Sequence, residues 1–142
     1  MKTSENENGF IIRPIGMVRS ELSAREEAPK QGNEGAPDAW VEIDAAVREG
    51  LEGIMVGSEI ILLTWFHEAD RAMLKVHPRG DFSRPLTGVF STRSGDRPNP
   101  VALHRVTVLE IDENRVKVGP LEAIDGTPVV DIKPLLPQSI DC

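Results

Sequence analysis

The sequence is short of the residues that most often announce a function. It has one cysteine, Cys142, at the last position. No internal disulfide can form, and a cysteine-based metal centre is excluded. Tyrosine is absent, and the aromatic set is Trp40, Trp65 and four phenylalanines, so aliphatic side chains must fill most of the core. No apolar run approaches the roughly 20 residues that cross a bilayer. The first ten residues, MKTSENENGF, are polar and lack a signal-peptide core. Both absences predict a cytoplasmic protein. The three histidines, His67, His77 and His104, lack a metal-binding spacing, so no metal is expected. There is no glycine-rich strand-to-helix fingerprint, no phosphate-binding P-loop and no defensible Ser-His-Asp order.

What is present is an ordinary globular composition. The chain has 142 residues, 39% hydrophobic and 27% charged, with a net charge of −7. That length suits one domain with a real core. The charge is unevenly spread. Residues 1–70 carry 6 Lys/Arg against 14 Asp/Glu, residues 71–105 carry 7 against 2, and residues 106–142 carry 3 against 7. A basic island therefore sits inside an acidic protein. Global acidity disfavours indiscriminate nucleic-acid binding, but a local positive patch can hold phosphates.

Taken in order, residues 1–9 read as a disordered start, 10–137 as one domain and 138–142 as a tail. Phe10 to Ser20 reads as an edge strand broken by Pro14. A long polar connection, 21–38, follows, and its Pro29-Lys30-Gln31-Gly32 segment is the part best suited to contact a ligand. Trp40 to Ile43 alternates as a strand. Asp44 then caps a short helix limited by Gly50 and Gly53. Glu59 to His67 is the most apolar run and reads as a central strand covered on both faces, ending in His67-Glu68. Met73 to His77 and Thr87 to Arg93 read as strands around a turn-rich linker. Val101 to Asp112 and Arg115 to Val118 form a hairpin. Gly119-Pro120 breaks the chain, and Asp125-Gly126 makes a turn before the alternating end of the domain. About seven strands, one short helix and no repeats imply an all-β protein. A small closed β-barrel is the better expectation because closure removes exposed edges.

The most distinctive stretch is Gly88 to Pro100, GVFSTRSGDRPNP. Gly95-Asp96 permits a tight turn. Pro98 and Pro100 fix the backbone on either side of Asn99. A stiff loop carrying the guanidinium groups of Arg93 and Arg97 suits an anion or a carboxylate.

FSTRSGDRPNP (90–100), EAIDGTPVVDIKP (122–134) and IGMVRS (15–20) followed by PKQG (29–32) together resemble the signatures of the TsaA-like (TrmO-like) family of S-adenosylmethionine-dependent methyltransferases. The resemblance covers about residues 11–137. It implies a small β-barrel that forms a homodimer and binds S-adenosylmethionine in a cleft near the dimer interface. It also implies the activity of characterised bacterial members, which methylate the exocyclic amine of threonylcarbamoyl-adenosine beside the anticodon of a threonine tRNA. Carried over by position, the cofactor contacts would be Lys30, Gln31, Gly32, Asn33, Glu34, His67, Glu68, Arg93, Leu103, Gly119, Pro120, Leu121 and Glu122. Arg97, Asn99, Asp125, Thr127 and Lys133 would face the substrate. His67 and Asp125 are candidates to accept the proton. The sequence departs from the pattern at Ala102, usually Gly, at Glu122, usually Asp, and at Leu135, usually aromatic. Larger members carry a further C-terminal domain, whereas this sequence stops just past the barrel. That difference keeps open the alternative of a cofactor-binding sensor or adaptor without RNA methylation activity.

Overall fold

A computed structural model describes residues 9–23 and 35–136. Among the described residues there are eight strands: β1 (Gly16–Arg19), β2 (Ala39–Ile43), β3 (Glu59–Trp65), β4 (Lys75–Val76), β5 (Thr87–Gly88), β6 (Val101–Asp112), β7 (Arg115–Gly119) and β8 (Pro128–Pro134). Six of them close a barrel in the order β1-β2-β7-β6-β3-β8, every pairing antiparallel. β8 pairs back with β1 through Gly16 and Val129, and the Ile15 amide extends the seam by donating to the Val129 carbonyl at 2.8 Å. β4 and β5 form a separate two-stranded sheet.

Closure separates each strand into an inner and an outer row. Ile60, Leu62 and Thr64 of β3 are buried, as are His104, Val106 and Val108 of β6. Val41 and Ile43 of β2, Val116 and Val118 of β7, Val18 and Val129 complete the interior. Branched aliphatics fit this row because they pack well on a pleated surface. Gly16 is required where β1 crosses β2, since a Cβ there would collide with the Glu42 carbonyl.

Several expected elements are shorter than their sequence patterns. Phe10 to Ser20 contributes only β1. Pro14 has no amide to donate, and Phe10, Ile11 and Ile12 lie exposed before it. Glu59 to His67 is not covered on both faces. β3 alternates between buried and half-buried positions, because a barrel strand has one inner face. Met73 to His77 retains β4 alone, and Thr87 to Arg93 retains β5 before curling into a 3₁₀ turn at Val89–Ser91. The helix after β2 is a 3₁₀ segment, Ala45–Leu51, and Asp44 makes no side-chain cap. None of its residues is fully buried and only Leu51 packs against the core, too little apolar contact to hold a longer α-helix. The segments 1–8, 24–34 and 137–142 lie outside the described residues, and with them the expected disordered start, the Lys30 to Glu34 loop and the tail.

No helix among the described residues is long and apolar enough to cross a membrane. Leu62, fully buried at the centre of the inner row, gives the most direct test of this core. Leu62→Ala should lower unfolding free energy in urea by about 2–5 kcal/mol. A loss below about 1 kcal/mol would mean that the site is not tightly packed.

Candidate functional site

The end of the barrel at Thr64 and His104 differs in chemistry from the aliphatic remainder. Three segments cross it. β3 runs on into Phe66, His67 and Glu68, and the Phe66 amide donates to the Pro100 carbonyl at 2.9 Å. The 89–100 loop lies alongside. The 120–127 segment crosses as well, held by Gly126 N to the Val18 carbonyl at 2.7 Å and by Val18 N to the Thr127 carbonyl at 2.9 Å.

Between these segments and the β4–β5 sheet lies a cavity of about 740 Å³. Its walls include Phe66, Met73, Val76, Phe82 and Leu86 on the apolar side. The polar side is formed by His67, Glu68, Arg93, Asp96 and Glu122. The volume falls within the range of small-molecule and cofactor sites.

The 89–100 loop is held from inside by one guanidinium. Arg97 Nη1 donates to the carbonyls of Thr92 and Ser94, both at 3.0 Å, and Nη2 to that of Val89 at 2.8 Å. Three carbonyls converging on one cation curl the chain and explain why the expected strand ends at Gly88. Arg71 holds the other limb. Its Nε donates to the Pro98 carbonyl at 2.6 Å and its Nη2 to Asn99 Oδ1 at 3.0 Å, while its guanidinium lies 5.0 Å from the Trp65 ring centroid. At the tip, a Cβ on Gly95 would come within 2.8 Å of the Phe66 ring, so glycine is needed for close packing there.

The outcome is a division of labour between two arginines. Arg97 supports the loop, whereas Arg93 is exposed and lines the cavity. Among the described residues the Arg93 side chain has no hydrogen-bond or ion-pair partner. Opposite it, Glu122 Oε2 accepts from His104 Nδ1 at 2.8 Å, and His104 Nε2 meets Thr64 Oγ1 at 2.7 Å. His67 Nε2 lies 3.9 Å from Glu68 Oε2. On the outer rim, the Ser83 hydroxyl and amide both bond Asp81 Oδ1, and these bonds hold the Asp81 carboxyl below its usual value.

Of the positions expected from sequence, the structure brings His67, Glu68, Arg93, Glu122 and Thr127 to this one cavity. Others lie elsewhere. Leu103 is on the outer face of β6 at 46% exposure, and Leu121 is fully buried in the core. Gly119 packs so closely on Asp38 that a Cβ there would collide with its carboxylate; Pro120 follows it through a cis peptide bond. Asp125 accepts from the Ser20 amide at 3.0 Å and lies 4.0 Å from Arg19. Asn99 is held by Arg71, and Lys133 pairs with Asp131 at 3.1 Å. Among the described residues no group of three or more His, Cys, Asp and Glu gathers in a metal-binding cluster.

With this geometry in place, the relatives are informative. Residues 17–142 match the family described as the tRNA-methyltransferase O N-terminal domain. The chain belongs to that family. It is 42% identical over 133 residues to an S-adenosyl-L-methionine-binding protein of Archaeoglobus fulgidus, a match covering 94% of each chain. It is 44% identical over 123 residues to a probable S-adenosyl-L-methionine-binding protein of Methanothermobacter thermautotrophicus, covering 87% of this chain and 88% of that one. Among solved structures it resembles TrmO from Pseudomonas aeruginosa, with a TM-score of 0.72 and 29% identity. That match covers 94% of this chain but 59% of the other. A second TrmO structure gives a TM-score of 0.73 at 32% identity, again covering 94% of this chain and 60% of the other.

Against this TrmO-type background, sequence reasoning misses one group of cavity residues and one buried histidine beneath the cavity wall. Met73, Lys75, His77 and Phe82 reach the wall through the β4–β5 sheet and its linker. Lys75 and His77 stood in the basic island, but nothing local marks a two-residue strand. His104 was set aside for want of metal spacing. The alternation of Val101 to Asp112 was the signal that places it inside.

The internal staple is testable. Arg97→Ala removes three hydrogen bonds from a charged donor, each ordinarily worth about 1.5–3 kcal/mol when shielded. With part of the group open to solvent, a net loss of about 2 kcal/mol is expected. It should be accompanied by faster amide exchange across residues 89–97. Unchanged exchange in that loop would show that the prolines alone hold it.

Proposed function

We propose that the chain binds S-adenosylmethionine in this cavity and transfers its methyl group to the exocyclic amine of threonylcarbamoyl-adenosine next to the anticodon of a tRNA. The observation that carries the reading is the meeting of His67, Glu68, Arg93 and Glu122 in one ligand-sized cavity of a TrmO-family barrel. The residues fit the cofactor's chemistry. Its carboxylate calls for a cation, and Arg93 offers a guanidinium without a partner among the described residues. Its ribose and ammonium call for acceptors, which Glu122 and Glu68 supply. Its adenine calls for apolar walls, which Phe66, Met73 and Phe82 provide. When bound, the cofactor supplies an electrophilic methyl group on a sulfonium.

The protein's own part is to orient the amine, exclude water and accept a proton. Of the two candidate acceptors, His67 lines the cavity, with Glu68 beside it to steady the imidazolium. Asp125 is paired with the Ser20 amide and is not on the wall. Lys75 and Arg79 line the cavity and are exposed to solvent, which suits contact with RNA phosphates.

A second reading is favoured by the names and lengths of the relatives. The archaeal ones are named only as binding proteins, and the chain spans 57–60% of the solved TrmO chains. On that reading the barrel binds the cofactor as a sensor or adaptor without methylating RNA.

One experiment separates the two. The protein is incubated with methyl-labelled S-adenosylmethionine and tRNA containing threonylcarbamoyl-adenosine, and the nucleosides are analysed by mass spectrometry. Label on the modified adenosine is expected, with Arg93→Ala weakening cofactor binding about tenfold or more. Tight binding with unlabelled RNA would overturn the methyltransferase reading in favour of the sensor.

The proposal includes a homodimer. Leu74 and Phe90 stand 64% and 80% exposed on neighbouring segments, joined by the Val89 amide on the Leu74 carbonyl at 2.9 Å. Such apolar exposure suits a covered surface. Sedimentation equilibrium should give twice the chain mass, and a monomer at every concentration would remove this part.

A further inference from the structure

His104 sits where an aliphatic residue would serve stability better. Its side chain is 1% exposed, and β6 continues inward as Val106 and Val108. Burying an imidazole requires partners for both ring nitrogens. Here one partner is the fully buried Thr64 hydroxyl and the other is the Glu122 carboxylate. The Phe66 ring packs 5.8 Å from the imidazole at a 58° tilt, and Phe66 is also a cavity wall.

The chemistry of the partners gives the chain a direction. A carboxylate only accepts, so Nδ1 must carry the proton. In the Nδ1–H tautomer, Nε2 accepts from the Thr64 hydroxyl. The series runs from the core outward and ends at Glu122 Oε2. Glu122 is 14% exposed and lines the cavity, so Oε1 is the oxygen left for a ligand. A lone glutamate has several rotatable bonds, and ordering it at the moment of binding weakens affinity. A buried imidazole holding Oε2 removes that cost beforehand.

We propose that His104 is a positioning residue. Through its Nδ1–H it fixes the Glu122 carboxylate so that Oε1 accepts a hydroxyl or ammonium hydrogen from the bound cofactor. The proposal rests on the cofactor reading above. It assigns His104 no contact with the ligand, and it makes the Glu122 carboxylate the group that selects the tautomer, with the Thr64 hydroxyl satisfying the other nitrogen.

The test uses the full chain, S-adenosylhomocysteine as probe, and two substitutions that divide the imidazole. His104→Asn places an amide near Nδ1 and keeps a donor for Glu122. His104→Gln places its amide near Nε2 and loses that donor. Calorimetry should show Glu122→Gln and His104→Gln each weakening binding about tenfold or more. His104→Asn should stay within about threefold of wild type, and the Glu122→Gln/His104→Gln double variant should be no weaker than the worse single one. Imidazole nitrogen spectra of the ligand-free protein should show the Nδ1-protonated tautomer, lost in Glu122→Leu. Equal losses for Asn and Gln, wild-type binding by His104→Gln, or a ring protonated on Nε2 and not on Nδ1 would each overturn the proposal. Thermal melts identify a variant that fails to fold, and the spectra of the wild-type protein decide the matter in that case. Absence of wild-type binding would instead overturn the cofactor reading, and the ligand half of the proposal with it, while the tautomer still reports whether His104 holds Glu122.

Discussion

Closure of the six-stranded sheet is the constraint on which the remainder depends. Once β8 pairs with β1 through Gly16 and Val129, no edge is left to slip, and each residue is committed to the inside or the outside. Leu103 faces out and His104 faces in for no reason but parity. A shift of one residue along β6 would expose Val106 and Val108 and bury Arg105. The cost of that exchange, in lost apolar burial and a desolvated guanidinium, is far above what any loop contact could return.

The parity delivers a polar end to an otherwise aliphatic interior. Thr64 and His104 form it, and the register shift between Leu63 and Thr64 in the β3–β8 pairing lies beside them. Bulges of this kind re-aim side chains at barrel rims. Around that end, each crossing loop is held by its own buried or semi-buried device. Arg97 gathers three carbonyls, Arg71 grips Pro98 and Asn99, and the 120–127 segment is bonded to β1 through Gly126 and Thr127. Rigid support beneath leaves Arg93, His67 and Glu122 to present their polar groups to the cavity.

Much of this was legible in the amino-acid order, though not evenly. The barrel followed from the many short alternating runs, and its aliphatic filling from the scarcity of aromatics. Residues of the 90–100 and 122–134 motifs meet at one cavity, and their turn character was readable because turn residues and prolines act locally. Three-dimensional competition was not legible. Arg93 and Arg97 look alike in sequence, four residues apart. Only the folded loop shows that one is spent on carbonyls of the backbone and the other is not. The strand expected over Thr87 to Arg93 failed for the same reason, since the force that curls it comes from a side chain beyond its end. His104 was visible in the alternation of β6, but its meaning required knowing that Thr64 and Glu122 would meet it. Lys30 to Glu34 fall outside the described residues, and their part in the site stays with the family resemblance.

The central claim is that a sulfonium nucleoside occupies the cavity at the polar end of the barrel. Backbone amide spectra recorded during titration with S-adenosylmethionine test it most directly. The account predicts saturable shifts centred on residues 66–69, 91–96 and 122–124, with the β2–β7 side of the barrel unmoved. Saturable shifts centred on that opposite side, or none at all at millimolar ligand, would contradict it.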